Sequence, residues 1–455
     1  MPDKIFTEYD IRGVVGEDLN DDRVRCLGSA IAATLIREGI GKVIVGRDNR
    51  LSSDAYFEAL ADGLMRSGVD VVDIGVVPTP VFYFASKSWG IEGGVMITAS
   101  HNPAGFNGFK VLRGEGTIYG AAIRELRDIA AGDLKTDGSG KLDRKDAISE
   151  YIDYISENVK VERAVRFAVD GGNGTAGIVA PDIFDRLGCS PVELYMKPDG
   201  NYPNHHPDPT IVENLEDLKA AVLDSGLELG IGFDGDSDRI GVIDDTGEII
   251  WGDRLLAIFA RDVLAANPGA TVIFEVKCSQ GLEEDILDHG GRPIMWKTGH
   301  SLIKKKMRDE SALLAGEMSG HLFFADRYFG FDDAIYAACR LLEIVSGLSK
   351  TLSDLLGDLP HYESTPEIRV ECDDESKFDI VQKVCDHFKK TNEVVDVDGA
   401  RIKFAEGWGL IRASNTQPVL VLRFEASRKD TLREIRQEIA GVLGRYIDAS
   451  SLLDE

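Results

Sequence analysis

The chain reads as an α/β protein of several domains, closed by a smaller α+β segment. Three observations predict this. Short apolar runs at residues 42–46, 69–75 and 93–97 alternate with helical stretches at 53–65 and 79–89, the pattern of a mostly parallel or mixed sheet with helical crossovers. That rhythm restarts at Val165 and again near Trp251. From about Tyr362 it changes to a strand, a helix near 376–388, a β-rich middle and a last helix at 430–446. The resulting segments are 1–147, 148–250, 251–361 and 362–455, the first closing just after a polar stretch at 132–145.

Composition narrows the function. With 455 residues, 43% of them hydrophobic, there is ample material for several cores. A net charge of −27 argues against a nucleic-acid surface and means that an anionic substrate needs a locally basic cleft. The six cysteines are scattered without metal-type pairs, as expected in a reducing cytoplasm. No apolar run approaches membrane-spanning length and the N-terminus lacks a signal-peptide core. A cytoplasmic protein without membrane partners is therefore expected, and the sequence leaves monomer and dimer both open.

In chain order, Tyr9-Asp10-Ile11-Arg12-Gly13 comes first, with a phenol and a guanidinium suited to a phosphate. Ser52 or Ser53 is placed to cap the helix at 53–65. The 93–97 run then ends in Thr98-Ala99-Ser100-His101-Asn102-Pro103, at the strand edge where ligands bind in open α/β sheets. Ser100 is a candidate nucleophile there, with Lys110 near enough to move a proton or steady a phosphate. Pro103 favours an extended preceding residue, and Asn107-Gly108 is expected to form a tight return.

In the second segment, Gly172-Asn173-Gly174-Thr175-Ala176-Gly177 follows a strand at 165–170 and precedes a predicted helix. Glu193 sits at roughly the distance of a ribose-binding acid, so a dinucleotide-binding module is a rival to an unliganded turn. His205 and His206 are adjacent and point opposite ways on an extended chain, so we read their loop as structural or cleft-lining. Asp234-Gly235-Asp236-Ser237-Asp238-Arg239 sets three carboxylates at alternate positions, able to converge on one hard cation such as Mg2+. An EF-hand is excluded because its sixth and twelfth positions hold Arg239 and Asp245.

The third segment carries Lys277-Cys278-Ser279 after a strand, then His300, then Gly316-Glu317-Met318-Ser319-Gly320-His321. Glu317 and Ser319 suit hydrogen bonds to sugar hydroxyls, with a histidine nearby as acid or base. In the last segment Arg412-Ala413-Ser414-Asn415-Thr416 forms a turn rich in phosphate-binding donors.

Taken in order, Tyr-Asp-Ile-Arg-Gly, Thr-Ala-Ser-His-Asn-Pro, Asp-Gly-Asp-Ser-Asp-Arg, Gly-Glu-Met-Ser-Gly-His and Arg-Ala-Ser-Asn-Thr resemble the α-D-phosphohexomutases across essentially the whole chain. The resemblance implies three related mixed-sheet α/β domains plus a smaller α+β C-terminal domain around a central cleft. It implies phosphoryl transfer between the 1- and 6-positions of hexose phosphates, with glucose 1,6-bisphosphate as activator. By the same resemblance Ser100 carries the phosphoryl group and, with Asp234, Asp236 and Asp238, holds Mg2+. Arg12, Lys110, Arg239, His300 and His321 line the reaction centre. Tyr9, Lys277, Glu317, Ser319, Arg412, Ser414, Asn415 and Thr416 contact the substrate. Met318 favours a mannose- or glucose-phosphate enzyme over a phosphoglucosamine type, and the glycine turn takes a structural place, which demotes the oxidoreductase alternative.

Overall fold

Apolar runs bounded by glycine, proline and polar turns become strands, and the amphipathic stretches between them become helices that cover the sheets. The computed structural model describes residues 1–134, 136–415 and 417–452. It divides into two compact units. Met1–Asp262 and Ser319–Gly357 form the first, and Val263–Met318 with Asp358–Glu455 form the second.

The first unit contains two mixed sheets. In one, Gly93–Ile97, Lys42–Arg47, Asp70–Val76 and Leu142–Arg144 run parallel, while Phe106–Arg113 and then Ile11–Val14 add antiparallel strands at one side. Gly93–Ile97 is buried at every position, the mark of a central strand covered on both faces. Helices Asp21–Arg37 and Ser53–Arg66 help cover the sheet, burying Leu27, Ile31, Phe57 and Leu60 against Val43, Val45 and Val95. The second sheet sets Val192–Leu194, Phe167–Asp170 and Leu229–Phe233 parallel, with Ile240–Asp244 and Ile249–Ile250 antiparallel.

In the second unit, Arg292–Trp296, Thr271–Glu275 and Leu314–Gly316 are parallel. Its C-terminal part is a six-stranded antiparallel sheet that carries helices Lys377–Phe388 and Lys429–Leu443. The expected architecture of α/β portions followed by a smaller α+β portion is present.

Three local expectations change. Asn107 and Gly108 lie inside the strand Phe106–Arg113, paired on both sides, so the return is made earlier, over 101–105. Ser52 is the N-cap residue of its helix, but neither serine hydroxyl makes the capping bond. Ser52 Oγ accepts from Asn107 Nδ2 at 2.8 Å and Ser53 Oγ donates to Asp48 Oδ1 at 2.6 Å, so both hydroxyls serve the base of the Ser100 turn. After the glycine turn comes a 3-10 turn, Thr175–Ile178, before the seven-residue helix Ala180–Arg186.

Candidate active site

Ser100 leaves the end of its strand at φ 49°, a left-handed conformation that costs a residue with a Cβ about 1–3 kcal/mol. Its N–H donates to Thr98 Oγ1 at 2.9 Å, and its Oγ donates to Asp234 Oδ2 at 2.7 Å. His101 Nδ1 lies 3.1 Å from the same Oγ. Burial, with the cations Arg239 and Arg12 nearby, holds the His101 pKa well below the usual imidazole value, so the ring stays neutral.

Asp234, Asp236 and Asp238 are all fully buried. The loop that carries them follows the strand Leu229–Phe233, and Gly235 lets it approach the Ser100 turn, because a Cβ there would lie 2.8 Å from Ser100 O. Asp234 Oδ1 accepts from the backbone N–H groups of Asp238 at 3.0 Å and Arg239 at 3.1 Å. Asp236 Oδ2 accepts from Thr79 Oγ1 at 2.6 Å and Lys110 Nζ at 2.7 Å, and Asp238 Oδ2 accepts from Lys110 Nζ at 2.5 Å. Lys110 is thus committed to the carboxylates. Burial would lower its pKa, but Asp236 and Asp238 raise it well above the ordinary lysine value.

The triad does not titrate as three equal groups. Burial and its two like-charged neighbours push the Asp234 carboxyl up. Burial and Asp236 push Asp238 up to about 6. Asp236 moves down because the Lys110 ammonium outweighs its burial. One lysine does not neutralise three carboxylates in a low-dielectric site. Oδ1 of Asp236 and of Asp238 are buried and accept no hydrogen bond among the described residues. One carboxylate oxygen from each Asp lies within 4.8 Å of the others. An all-oxygen set with unused acceptors suits a hard divalent cation.

Arg12 and His321 complete this cluster. Arg12 donates from Nε to Asp10 Oδ2 at 2.6 Å and from Nη1 to Asn102 Oδ1 at 2.5 Å, which ties it to the serine turn. Arg239 Nε donates to His321 Nε2 at 3.0 Å. An arginine only donates, so Nε2 is the acceptor and Nδ1 carries the proton, donated to Asp238 O at 3.1 Å. Tyr9 lies in the bend before Ile11–Val14, and Ser319 in the turn after Leu314–Gly316.

The second unit gathers the remaining expected residues. Lys277 lies 3.2 Å from Glu367 Oε2 and 3.4 Å from Glu275 Oε1. Burial lowers its pKa, but these carboxylates raise it further, so it stays charged. Glu317 Oε1 accepts from Gly299 N at 2.7 Å, immediately before buried His300 at the start of helix His300–Glu310. Asp398 Oδ2 accepts from both Arg412 Nε and Thr298 N at 3.1 Å. Ser414 Oγ accepts from Gln417 N at 3.2 Å, and Asn415 is half-buried beside it. Thr416 lies outside the described residues.

Several site residues were not singled out from the sequence. Thr79, Thr98, Asp10, Glu275 and Asp398 orient the expected residues, and Arg50 holds the serine turn. Asp10 and Thr98 lie inside motifs read from the sequence, and Arg50 had a signal in Asp48-Asn49-Arg50 directly after the strand Lys42–Arg47.

The glycine turn takes a structural part. A Cβ on Gly174 would lie 2.7 Å from Gly235 O, and one on Gly177 only 1.6 Å from Met196 O. These glycines therefore pack against protein backbone rather than leaving room for a pyrophosphate, and Glu193 is exposed. His205 Nε2 meets Asp170 Oδ2 at 2.9 Å and His206 Nε2 meets His101 O, so this pair braces the loops, as expected.

Family models described as phosphoglucomutase/phosphomannomutase alpha/beta/alpha domains I, II and III match residues 3–135, 149–247 and 251–362, and the C-terminal domain model matches 367–442. A phosphomannomutase/phosphoglucomutase of Pseudomonas putida is 47% identical over 96% of this chain and 94% of its own. A phosphoglucomutase of Neisseria gonorrhoeae is 46% identical, covering 96% of each chain. The crystal structure of a phosphoglucomutase/phosphomannomutase family protein from Burkholderia thailandensis superposes with a TM-score of 0.92 at 44% identity, covering 98% of each chain.

Proposed function

The chain belongs to the phosphoglucomutase/phosphomannomutase family of α-D-phosphohexomutases, and on that premise we propose that it interconverts the 1- and 6-phosphates of mannose, glucose or both. The reaction runs through a phosphorylated Ser100 and a hexose 1,6-bisphosphate. The observation that carries this reading is Ser100 Oγ, lifted off a buried strand and set 2.7 Å from a carboxylate of the buried triad.

Phosphoryl transfer needs positioning and charge neutralisation more than new covalent chemistry. The free hydroxyl oxygen of a hexose phosphate attacks phosphorus on phosphoserine 100. The bond from phosphorus to Oγ breaks and the hydroxyl proton passes to a base, for which His321 and His300 are the candidate imidazoles. The bisphosphate turns over and returns its other phosphate to Ser100, so the enzyme ends as it began. Arg12 and Arg239 balance charge on the moving group, while Lys110 holds Asp236 and Asp238 beside it. Lys277, Arg412, Ser414, Asn415 and Thr416 hold the phosphate that is not reacting, with Tyr9 as a further contact, while Glu317 and Ser319 hold sugar hydroxyls. Asp234, Asp236 and Asp238, with the phosphate on Ser100, would hold Mg2+. Bound there, the ion supplies charge neutralisation for the phosphoryl oxygens.

Glucose 1,6-bisphosphate is the expected activator, because it recharges an unphosphorylated Ser100. Among the described residues no helix is long and apolar enough to cross a membrane, and a cytoplasmic site of action fits hexose phosphates as substrates. The test is a coupled assay with mannose, glucose and glucosamine 1-phosphates, with and without glucose 1,6-bisphosphate. Isomerisation of the first two without redox change is expected. Saturable NAD binding without isomerisation would overturn the reading.

A further inference from the structure

We propose that Arg50 is a positioning residue for transfer at Ser100, a proposal that rests on the reading of Ser100 as the phosphoryl carrier. Its side chain is fully buried beneath the serine turn. A guanidinium has five N–H donors, and here all five are engaged. Nη2 donates to Ser100 O at 2.7 Å and Asn102 O at 2.6 Å, and Nη1 to Pro103 O at 2.7 Å and Phe106 O at 3.0 Å. The fifth, on Nε, goes to Asp48 Oδ2 at 3.1 Å. Four of the five therefore hold carbonyls between Ser100 and Phe106, the length of the turn and the start of the next strand.

The clamp is itself anchored. Asp48 N donates to Ile97 O at 2.9 Å, which fixes Asp48 to the end of the serine strand. Asp48 Oδ1 accepts from Ser53 Oγ at 2.6 Å and from Arg50 N at 3.0 Å. On its other side the guanidinium stacks on Tyr202, 5.4 Å from the ring centre. Arg50 thus joins the core of the sheet to the turn it supports.

The consequence falls on Ser100. A left-handed serine persists only where its surroundings over-determine it, and Arg50 binds the carbonyl of that serine and three more within the next six residues. Without the clamp the turn relaxes, and Oγ moves away from Asp234. Among the described residues Arg50 makes no bond to the triad or to the other residues assigned to the reaction; its effect passes through the backbone of the turn.

Arg50→Lys tests this, because a lysine keeps a cation beside Asp48 but lacks the planar fork that spans four carbonyls. Turnover is expected to fall about 100-fold, the scale of a misplaced reacting group. KM for glucose 1-phosphate should hold, since Glu317, Arg412 and Ser414 are untouched. Phosphorylation of Ser100 by glucose 1,6-bisphosphate, followed by intact mass, should slow in parallel. In Arg50→Ala, millimolar guanidinium should return part of the rate. Wild-type kcat in Arg50→Lys, a rise in KM alone, or a loss that only tracks the unfolded fraction by circular dichroism overturns the proposal. Should both variants fail to fold, Asp48→Asn carries the same test, with a smaller loss of kcat expected and unchanged kcat overturning it. A wild-type protein that transfers no phosphate defeats the functional reading instead, which separates the two failures.

Discussion

The turn after the strand Gly93–Ile97 and the turn after the strand Phe167–Asp170 have the same local build. Each carries a non-glycine residue in the left-handed region, Ser100 at φ 49° and Asn173 at φ 57°. Both also crowd Gly235 of the aspartate loop, since a Cβ on Gly235 would lie 2.8 Å from Ser100 O and one on Gly174 would lie 2.7 Å from Gly235 O. They differ in what the packing leaves. At Ser100 the backbone is held from below by Arg50, and the hydroxyl is left to meet Asp234. At the glycine turn, Thr175 N donates to Gly235 O at 3.0 Å and the glycines vanish under neighbouring backbone. A glycine-rich motif thus states where space is short, whereas chemistry depends on which side chain the packing leaves available.

Four results would break or sharpen this comparison. The largest effect is expected at the serine turn. Ser100→Ala should reduce turnover by at least about 1,000-fold, roughly 4 kcal/mol in the barrier, while the circular dichroism spectrum is unchanged. Mass spectrometry should find one phosphate on the wild-type peptide spanning Ile97 to Lys110 and none on the variant. An active Ser100→Ala would end the distinction between the two turns.

Gly177→Ala places a methyl 1.6 Å from Met196 O, so backbone has to move. Urea unfolding should show a loss of about 3 kcal/mol or more, the upper range for overpacking. A neutral substitution would mean that the glycine turn is looser than its contacts indicate.

Asp236→Asn keeps the shape of the loop but removes one negative ligand and one of the two carboxylate partners of Lys110. Isothermal titration should show Mg2+ affinity lowered by at least about 10-fold, the scale of lost ligand support, with little change in melting temperature. Full activity at low Mg2+ would remove the metal assignment.

The smallest effect is on the pH dependence of stability. Asp238 rises from its ordinary value to about 6 in the fold, and Asp234 also moves up. A carboxyl with a raised folded pKa binds protons more readily when folded than unfolded, so the stability these two carboxyls contribute falls as pH rises from about 4 through about 6. Melting temperature in EDTA should decline across that window, and Mg2+ should flatten the decline. A rise in melting temperature with pH in EDTA would contradict the burial of an unneutralised triad.

Much of the architecture was legible because apolar runs and turn residues report on their own neighbourhood. The 93–97 run, the alternate carboxylates of 234–238 and the change of rhythm near Tyr362 each carry their meaning within a dozen residues. The Asn107-Gly108 pair misled for the same reason. As a dipeptide it signals a turn, but pairing with Ile11–Val14 and Gly93–Ile97 draws it into a strand.

The sequence by itself determined which residues are candidates for the chemistry: a serine after a buried strand, three aspartates on one loop, arginines and lysines near strand ends. The tertiary structure alone decided how they act on one another. Lys110 serves the carboxylates because the chain closes 126 residues to Asp236, Thr79 reaches the same carboxylate across 157, and Arg50 grips the serine carbonyl across 50. Local patterning follows from steric and solvation preferences of neighbouring residues. These bonds form only once distant strands have settled into register and water has left the space between them, which is why no short motif announces them.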